Sequence, residues 1–459
     1  MPPENGARMP IPRLVAFDLD DTLAPSKSAI DPRIGRQLLD LAARVEVAII
    51  SGGQLAQFTA QVVDQLRADI SAAVDPLEPE LIEVRRDLHA HPELGFAEQR
   101  TTTRISQRLK AEGLRVTPVH PTGLVVDLGP AEPRRRIAVR ADIDALPLTE
   151  TSGLPYASVT GGACHACGHD VHTTCLLGLA LALAPHQEWL REQGYAVRLL
   201  FQPAEEVMPG GAHALVAAGH LEDVDQVFAL HCDQGTDVGQ VGLRTGAITA
   251  ATDVLTVRLT GAGGHTSRPH ITQDLTYALA TVVTGLPAAL SRRVDPRAGL
   301  ALVWGSIHAG EAGNVIPSTG TASGTLRMLD ADVWDSIGPL VDDLVGHLAA
   351  PYGVAVEIDH RQGVPPVVND ADAVAHLVSG VTTMVGADAV VPTPQSLGGE
   401  DFSWMLRSVP GALARLGTRT PGGTTYDLHR PDLVVDERAI AVGVRTLAGT
   451  VLSALVATP

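Results

Sequence analysis

Two short runs of residues carry side chains that could do chemistry: Cys167-Gly168-His169-Asp170, and Glu205 with Glu206. Thiolate and imidazole favour zinc or a similar transition metal, whereas carboxylate also tolerates manganese, so the mixture admits several divalent ions. Adjacent glutamates can divide the work, because one can ligate a metal while its neighbour handles the proton of an attacking water. These residue types therefore indicate a metal-dependent hydrolase.

The composition narrows the class of protein. At 459 residues the chain is too long for one ordinary core and is expected to hold two or three domains. A net charge of −18 and an aromatic share of 3% argue against nucleic-acid binding, because phosphates would be repelled and few rings could stack on bases. The crowding of three of the four cysteines into residues 164–175 is not typical of a secreted disulfide framework. With no run of eighteen or more apolar residues, we expect a cytoplasmic protein without a membrane partner.

Residues 12–63 form a segment with a pattern of its own. A buried strand ends at an Asp-x-Asp-x-Thr run, a helix follows, and a second strand ends at Ser51. This resembles the start of a haloacid-dehalogenase phosphatase of the phosphomannomutase-like branch. The resemblance implies Asp18 as nucleophile, Asp20 as acid/base and Ser51 as phosphate contact. The later lysine and acidic pair of that family are missing, so we expect a truncated appendage rather than a working phosphatase.

Strands that alternate with helices from about residue 76 predict a largely parallel sheet with helices on its faces. Both chemical runs fall at or just beyond predicted strand ends, where open α/β sheets bind their ligands. A separate unit begins near Ala251 in the order βαββαβ, which is that of a ferredoxin-like sheet with helices on one face. We therefore expect a catalytic domain over 76–250 and 364–459, with a unit over 251–363 inserted between its two parts.

Eight short blocks of sequence carry a family resemblance. They are, in chain order, Arg86–Glu93, Arg140–Pro147, His165–Asp170, Phe201–Glu206, Gly263–His265, Asn314–Pro317, Gly399–Phe402 and Leu428–His429. Each block alone is weak, but all eight in this order are specific. From about residue 76 to 455 the chain resembles the amidohydrolase branch of the M20 metallopeptidase family, which contains hippurate hydrolases, N-acyl-amino-acid amidohydrolases and auxin-conjugate hydrolases. The resemblance implies a zinc-peptidase-like α/β catalytic domain with an inserted ferredoxin-like α+β lid or dimerisation domain.

The resemblance also implies roles for individual residues. It assigns the general base to Glu205, and to His265, on the inserted unit, the donor to the tetrahedral oxyanion, often across a dimer interface. Two divalent ions are implied, Mn, Zn, Co or Ni, and whether Cys167 bridges them stays open. The implied metal ligands are Cys167, His169, Glu206, His231 and His429.

The implied reaction is hydrolysis of the amide bond in small N-acyl amino acids of the hippurate type, giving a carboxylic acid and an amino acid. Asn314 and Arg327 are expected to contact the substrate's carboxylate, although Arg327 could equally pair with an acidic neighbour. Asp142 and Asp170 resemble groups that orient ligands. A homodimer formed through the inserted lid unit is also expected.

Other interpretations stay open beside this one. The N-terminal segment could make the protein a phosphohydrolase, and a binding protein that has lost its chemistry is a second alternative, although nothing in the sequence favours it. Four histidines are expected to be ordinary surface or core residues: His89, His91, His270 and His308. Three cysteines are expected to be small buried apolar residues rather than ligands: Cys164, Cys175 and Cys232.

Overall fold

The computed structural model describes residues 14–17, 33–37, 46–49 and 55–457. In the N-terminal part, strands β1 (Leu14–Phe17) and β2 (Glu46–Ile49) pair in parallel, and a helix, α1, covers 33–37. These elements coincide with the predicted strand, helix and strand of the phosphatase-like segment. Its chemical residues, Asp18, Asp20 and Ser51, lie outside the described residues, so the truncated appendage and the alternative of a phosphohydrolase both stay predictions.

A mixed sheet of eight strands forms the larger part of the protein. In spatial order the strands are β17 (Val390–Pro392), β8 (Val241–Leu243), β18 (Gly411–Arg419), β7 (Gln226–Asp237), β5 (Arg135–Asp142), β6 (Tyr195–Gln202), β4 (Leu124–Leu128) and β3 (Val116–Pro118). The central strands β18, β7, β5 and β6 run parallel, and β4 and β3 are added antiparallel at one edge. Strands β5 and β6 are buried on both faces, as parallel strands between helices are expected to be.

Alternate residues of the central strands face two different cores. Ile137 and Val139 of β5 belong to one core, and Ala138 between them belongs to the other. The first core also takes residues from helices α2 (Leu55–Ala90), α3 (Gln99–Ala111), α4 (His169–Leu183), α9 (Ala371–Met384) and α11 (Ala439–Val456). The second takes residues from the shorter helices α6 (Gly211–Ala217) and α10 (Ser403–Leu406). The sheet is therefore a layer between helices. One more helix, α5 (Gln187–Gln193), connects α4 to β6 along the chain.

Helix α2 is much longer than the sequence pattern suggested. The pattern predicts a helix over 78–88, whereas α2 runs for 36 residues with Pro76 and Pro79 inside it. Proline removes a backbone donor and usually ends or kinks a helix, so the two prolines led the sequence pattern to place the start of the helix too late. A buried apolar stripe continues across them and holds the helix on the core: Val63, Leu66, Ile70, Val74, Leu81, Val84 and Leu88.

Among the described residues, one helix is long and apolar enough to cross a membrane by length and composition. It is α11, and 78% of it is buried inside the protein. Its residues contribute to the larger of the two cores around the sheet. The apolar character of α11 is therefore explained by packing against α2, α4 and α9.

A second, antiparallel sheet is built from four strands in the order β12 (Ala301–Ala309), β14 (Thr319–Met328), β10 (Ala251–Thr260) and β15 (Ala355–Val364). Helices α7 (Leu275–Arg293) and α8 (Ala331–Ala349) share one apolar core with it. The chain order βαββαβ with this spatial order is that of a ferredoxin-like fold. The predicted fold class, a mostly parallel α/β domain with a small α+β unit, is confirmed. The exact domain boundaries stay a prediction.

Two short ladders complete the strands. They pair β9 (Gly246–Ala247) with β16 (Val368–Asn369), and β11 (Gly264–His265) with β13 (Val315–Ile316).

A small aromatic cluster joins the two sheets. Trp404 of α10 meets Trp334 of α8 edge to face, with ring centroids 5.9 Å apart. The indole N–H of Trp404 also donates to the carbonyl of Pro209, 3.1 Å away, and Arg407 pairs with Asp335 at 2.9 Å. Trp404 therefore contacts both the small unit and the loop that follows Glu206.

Candidate metal centre

The turn at Gly168 brings two predicted ligands to the start of helix α4. Gly168 has a φ of 91°, in the left-handed region that side chains with a Cβ rarely adopt. A Cβ there would lie 2.7 Å from the Sγ of Cys232. Glycine therefore fits where larger residues would not, and it places Cys167 just before the helix and His169 at its first position.

The structure gathers all five predicted ligands into two groups that share one thiol. Within each group, one ligand atom from each residue lies within 4.8 Å of the others. The first group is Cys167, His169 and His231, and the second is Cys167, Glu206 and His429. The Sγ of Cys167 lies 3.5 Å from the Nε2 of His231, and the Nε2 of His429 lies 3.3 Å from the Oε1 of Glu206. Cys167 is thus placed to serve both groups.

Hydrogen bonds select the tautomers of two of these histidines. The Nδ1 of His231 lies 2.8 Å from the carbonyl of Cys232, and that of His169 lies 3.0 Å from the carbonyl of Asp144. A carbonyl only accepts, so each Nδ1 carries the hydrogen. When the ring is neutral, its Nε2 carries the lone pair that a metal ligand requires.

The Nε2 of His169 is buried without a hydrogen-bond partner in the described part of the chain. The Oε1 of Glu206 is buried too, and it lies beside two imidazole nitrogens, 3.3 Å from the Nε2 of His429 and 3.8 Å from that of His169. An unpaired buried polar atom is costly, and a bound cation would satisfy it. Together with a thiol and two further imidazoles, these donors fit divalent cations of the zinc or manganese type.

Three imidazoles in the cluster have strongly shifted pKa values. Burial opposes the shift, but the charge of Asp142 raises the pKa of His169 well above its usual value. Burial, reinforced by the charge of Arg415, lowers the pKa of His231 well below its usual value, so this ring is neutral. Hydrogen bonds to Cys167 and Glu206 raise the pKa of His429 to about 10. A cation that binds between these groups must displace that proton, so binding is expected to release protons.

Glu205 lies between the metal cluster and a second group of carboxyl groups. It belongs to one group of possible ligands with His169 and Glu206 and to another with Glu400 and Asp401, and its Oε1 accepts a 3.4 Å hydrogen bond from the backbone N–H of Asp401. It also borders the metal cluster, with its Oε2 4.0 Å from the Nε2 of His169. Burial and then the charges of Glu400 and Glu206 raise the pKa of Glu205 well above its usual value. A raised carboxyl pKa beside a metal cluster suits a group that takes and returns a proton.

Asp144 ties the two halves of the cluster together. Its Oδ1 lies 3.1 Å from the Nδ1 of His169, and its Oδ2 accepts the backbone N–H of Glu206 at 3.0 Å. The carboxylate is completely buried. Asp144 therefore orients one predicted ligand directly and fixes the backbone of another.

A single arginine lies beneath the acidic side of the site. The guanidinium of Arg140 is 2.8 Å from Asp142, 3.0 Å from Glu400 and 2.7 Å from Asp401, and all four side chains are buried. Burial raises the pKa of Asp401 to about 8 even though Arg140 opposes the shift. Arg140 is therefore the charge that allows several carboxyl groups to be buried side by side.

Sequence reasoning left several of these residues without a role: Arg140, Asp144, His172, Glu400 and Asp401. His172 donates from Nδ1 to Asp142 at 2.7 Å and accepts the backbone N–H of Cys232 at its Nε2. A signal was available, because His172 follows His169 by three positions and so lies on the same side of a helix. Arg140 and Asp142 are likewise two apart on one strand and share a face.

Asp170, expected to orient a ligand, is directed elsewhere. Its Oδ2 lies 2.8 Å from Arg85 and 2.8 Å from the Nδ1 of His89, and His89 also lies 3.2 Å from Glu150. Arg85 and Asp170 are fully buried, as is the ring of His89. Within the described residues this is a separate charge network, and it anchors the first turn of α4 to α2. His89 is thus a core histidine, as expected.

The predicted residues of the small unit lie at its surface. His265 ends β11 and Asn314 precedes β13, and both residues are exposed. The carbonyl of Asn314 accepts the N–H of Thr266 at 3.3 Å. Arg327 donates to Thr252 at 3.2 Å and to the carbonyl of Leu397. Within the described residues, no hydrogen bond or ion pair joins these three side chains to the metal cluster. The three predicted bystander cysteines are buried free thiols.

Comparison with known proteins gives the family. Residues 138–453 match the profile of Peptidase family M20/M25/M40. A Rhodococcus jostii protein that carries the name glutamate–cysteine ligase 2-3 is 50% identical over 371 residues, which are 81% of this chain and 46% of that relative. This chain therefore spans less than half of that protein.

Two further matches extend over nearly whole proteins. An N-acetyl-L-cysteine deacetylase of Bacillus subtilis is 38% identical over 365 residues, covering 79% of this chain and 85% of the relative. A solved structure of a dinuclear metal binding peptidase from the M20 family, also from Bacillus subtilis, superposes with a TM-score of 0.72 at 31% identity, covering 83% of this chain and 99% of that one. The chain therefore belongs to the peptidase family M20/M25/M40, as a metal-dependent amidohydrolase.

Proposed function

We propose that the protein hydrolyses the amide bond of N-acyl amino acids, using two divalent ions held by Cys167, His169, Glu206, His231 and His429. The observation that carries the proposal is the pair of ligand groups sharing Cys167, with a buried carboxylate, Glu205, beside them that accepts a hydrogen bond from the backbone of Asp401. The deacetylase and the dinuclear peptidase among its relatives support the same reaction class.

Divalent ions, when bound, would polarise the substrate's carbonyl and acidify a water molecule. The chain's own part is proton transfer. Glu205 accepts a proton from the attacking water and then delivers it to the departing amide nitrogen, so that the products are a carboxylic acid and an amino acid. Its raised pKa keeps the carboxylate basic enough for the first step. During both proton transfers Asp144 holds the backbone of Glu206 and Arg140 holds the carboxyl group of Asp401.

The acyl group of the substrate is apolar in this proposal, as in hippurate. Four exposed apolar side chains lie on the loop that follows Glu206 and on the segment around Gly95: Val207, Met208, Leu94 and Phe96. Val207 and Met208 follow Glu206 directly, and Gly95, between Leu94 and Phe96, approaches Val207 closely. An acyl group attached to a carbonyl at the cluster would meet these side chains, and apolar lining is typical of small-molecule sites. Asn314 and Arg327 are proposed for the substrate's carboxylate, and His265 for the oxyanion.

A homodimer through the small unit is part of the proposal. Strand β12 is an edge of its sheet, and Val303 and Ile307 on it are 63% and 50% exposed. Exposed apolar edge strands are rarely left bare. We expect Ile307→Lys to give a monomer in sedimentation, whereas Val159→Lys, at an exposed valine away from β12, should leave the dimer intact. A dimer unchanged by Ile307→Lys would exclude this surface. A cytoplasmic location stays a prediction.

The test of the proposed function uses benzoyl-glycine and other N-acyl amino acids, after chelation and reloading with Mn, Zn, Co or Ni. Glu205→Gln should keep both ions and lose roughly 10²–10⁴-fold in kcat. Glu206→Gln is the matched control and should lose metal instead. Turnover retained in Glu205→Gln would refute the role of Glu205. Phosphate release that survives this substitution would point to the N-terminal segment.

A further inference from the structure

Glu98 is a fully buried carboxylate that stands at the start of helix α3. A side chain at this position usually accepts hydrogen bonds from the first turn of its helix. Glu98 does not cap α3. That task falls to Glu93, whose two oxygens accept the backbone N–H groups of Arg100 and Thr101 at 2.9 and 2.8 Å. Helix capping therefore does not account for the carboxylate of Glu98.

The carboxylate of Glu98 is directed instead to the loop that carries the adjacent glutamates. Its Oε1 accepts the backbone N–H of Ala204 at 2.8 Å, and its Oε2 accepts the hydroxyl of Thr122 at 2.5 Å. Burial raises the pKa of Glu98, which reflects the free energy needed to keep this group away from water. An apolar side chain would fill the same space without that cost, so stability alone does not explain a carboxylate here.

Ala204 needs such a contact because its backbone is strained. Its φ is 53°, in the left-handed region that residues with a Cβ rarely adopt. Strained backbone persists only where the surroundings hold it, and it concentrates at functional sites. Glycine on the other side allows the fit: a Cβ on Gly95 would lie 3.1 Å from the Cβ of Ala204. The segment from Gly95 to Glu98 is thus shaped around Ala204.

The held turn sets the direction of the two following side chains. The carbonyl of Ala204 accepts the N–H of Gly211 at 2.9 Å, and the N–H of Glu206 donates to Asp144 at 3.0 Å. The residues on either side of Glu205 are therefore both held by hydrogen bonds from their backbone N–H groups, Ala204 to the carboxylate of Glu98 and Glu206 to that of Asp144. Release of Ala204 to an ordinary φ would rotate the chain at the residue before Glu205.

We propose that Glu98 is a positioning residue, which holds Ala204 in its left-handed conformation and so aims Glu205 at the cluster and Glu206 into it. The catalytic part of this inference rests on the proposed function. The geometric part concerns the ligand Glu206 and does not depend on any substrate.

The experiment compares three variants of the 459-residue protein and keeps a fourth in reserve. Glu98→Met fills the space without an acceptor, and Glu98→Ala serves as a second variant if Glu98→Met does not fold. Glu98→Gln keeps an oxygen for Ala204, and its amide can donate to the hydroxyl of Thr122. Thr122→Val is the matched control, because it removes the second bond of the carboxylate and leaves the bond to Ala204.

We expect Glu98→Met to lose roughly 10–100-fold in kcat with benzoyl-glycine, with KM changed less than about threefold. Its cobalt-loaded form should show a changed visible absorption spectrum, because the ligand geometry at Glu206 is altered. Glu98→Gln and Thr122→Val should keep kcat within about threefold of the starting protein and keep its cobalt spectrum. Urea denaturation of each variant separates these effects from lost stability.

A cobalt spectrum and kcat that are unchanged in folded Glu98→Met would overturn the proposal. So would equal losses in Glu98→Met and Thr122→Val, because a general packing role predicts that pattern. If the starting protein hydrolyses no N-acyl amino acid, the proposed function fails, and the cobalt spectra alone still decide whether Glu98 positions Glu206.

Discussion

Replacement of Arg140 by methionine should destabilise the protein strongly, because it removes the guanidinium that contacts three buried carboxyl groups. Asp142, Glu400 and Asp401 lie within 2.7–3.0 Å of that guanidinium, and none is more than 3% exposed. Removing one member of a single buried ion pair costs about 3–5 kcal/mol. With three partners left, we expect a loss near the upper end, about 5 kcal/mol.

The loss should depend on pH in a defined direction. Burial raises the pKa of Asp401 to about 8 even with Arg140 present, and removal of Arg140 should raise it further. A carboxyl group with a raised folded pKa binds protons in the folded state that the unfolded chain has released. Its contribution to stability therefore falls as pH rises from about 4 toward that folded pKa. Because the folded pKa of Asp401 is already about 8 in the starting protein, the deficit of the variant should be only slightly smaller at pH 6 than at pH 8 and should widen above pH 8.

Urea denaturation of the metal-free protein, followed by tryptophan fluorescence at both pH values, measures this deficit. Arg258→Met is the matched control, because Arg258 pairs with Glu357 at 3.3 Å on the surface and should change stability by less than about 1 kcal/mol. A deficit for Arg140→Met below about 1.5 kcal/mol at pH 8 would refute the reasoning. A deficit that shrinks as pH rises would also contradict it.

Three further predictions concern stability away from the metal cluster. Burial acts to raise the pKa of Glu150, but hydrogen bonds from His89, the Ser152 hydroxyl and the Ser158 backbone lower it to about 2. The stabilisation from this carboxylate is therefore present above pH 4.5 and is lost as pH falls toward 2. Glu150→Gln should therefore weaken the protein at neutral pH and flatten its acid unfolding curve, measured by circular dichroism. Gly178→Ala should cost about 1–3 kcal/mol in urea denaturation, because a Cβ there would lie 2.5 Å from Val444, whereas Gly346→Ala, with open space around it, should stabilise helix α8 by up to about 1 kcal/mol. Trp404→Phe should cost about 1 kcal/mol, because it loses the indole donation to the carbonyl of Pro209 and keeps an aromatic ring; an unchanged urea midpoint would exclude that bond as a stabilising contact.

The sequence allowed the architecture and the five candidate ligands to be predicted, because both leave local marks. Alternation and helical periodicity identified the βαββαβ unit, and Cys167, His169 and the two adjacent glutamates stand in short, ordered blocks. The roles of these residues still await the tests above.

The surroundings of the ligands could not be predicted in the same way. Glu98, Asp144 and Arg140 act through contacts between elements that are far apart in the chain, such as the 106 positions between Glu98 and Ala204. Periodicity reports which face of one element is buried and does not report which other element it meets. In helix α2 a local signal was misleading. Its prolines predicted a helix boundary, but burial of the apolar stripe keeps the helix continuous across them.

The shared position of Cys167 makes the candidate site dependent on one oxidisable atom. Loss of His231 or His429 would remove a donor from one ligand group, whereas oxidation of the Cys167 sulfur to a sulfinic acid would alter both groups at once. Cys167 is buried, and a bound cation would shield its sulfur further from an oxidant. Resistance of the Cys167 thiol to peroxide, measured with and without metal, would therefore report on both ligand groups at once.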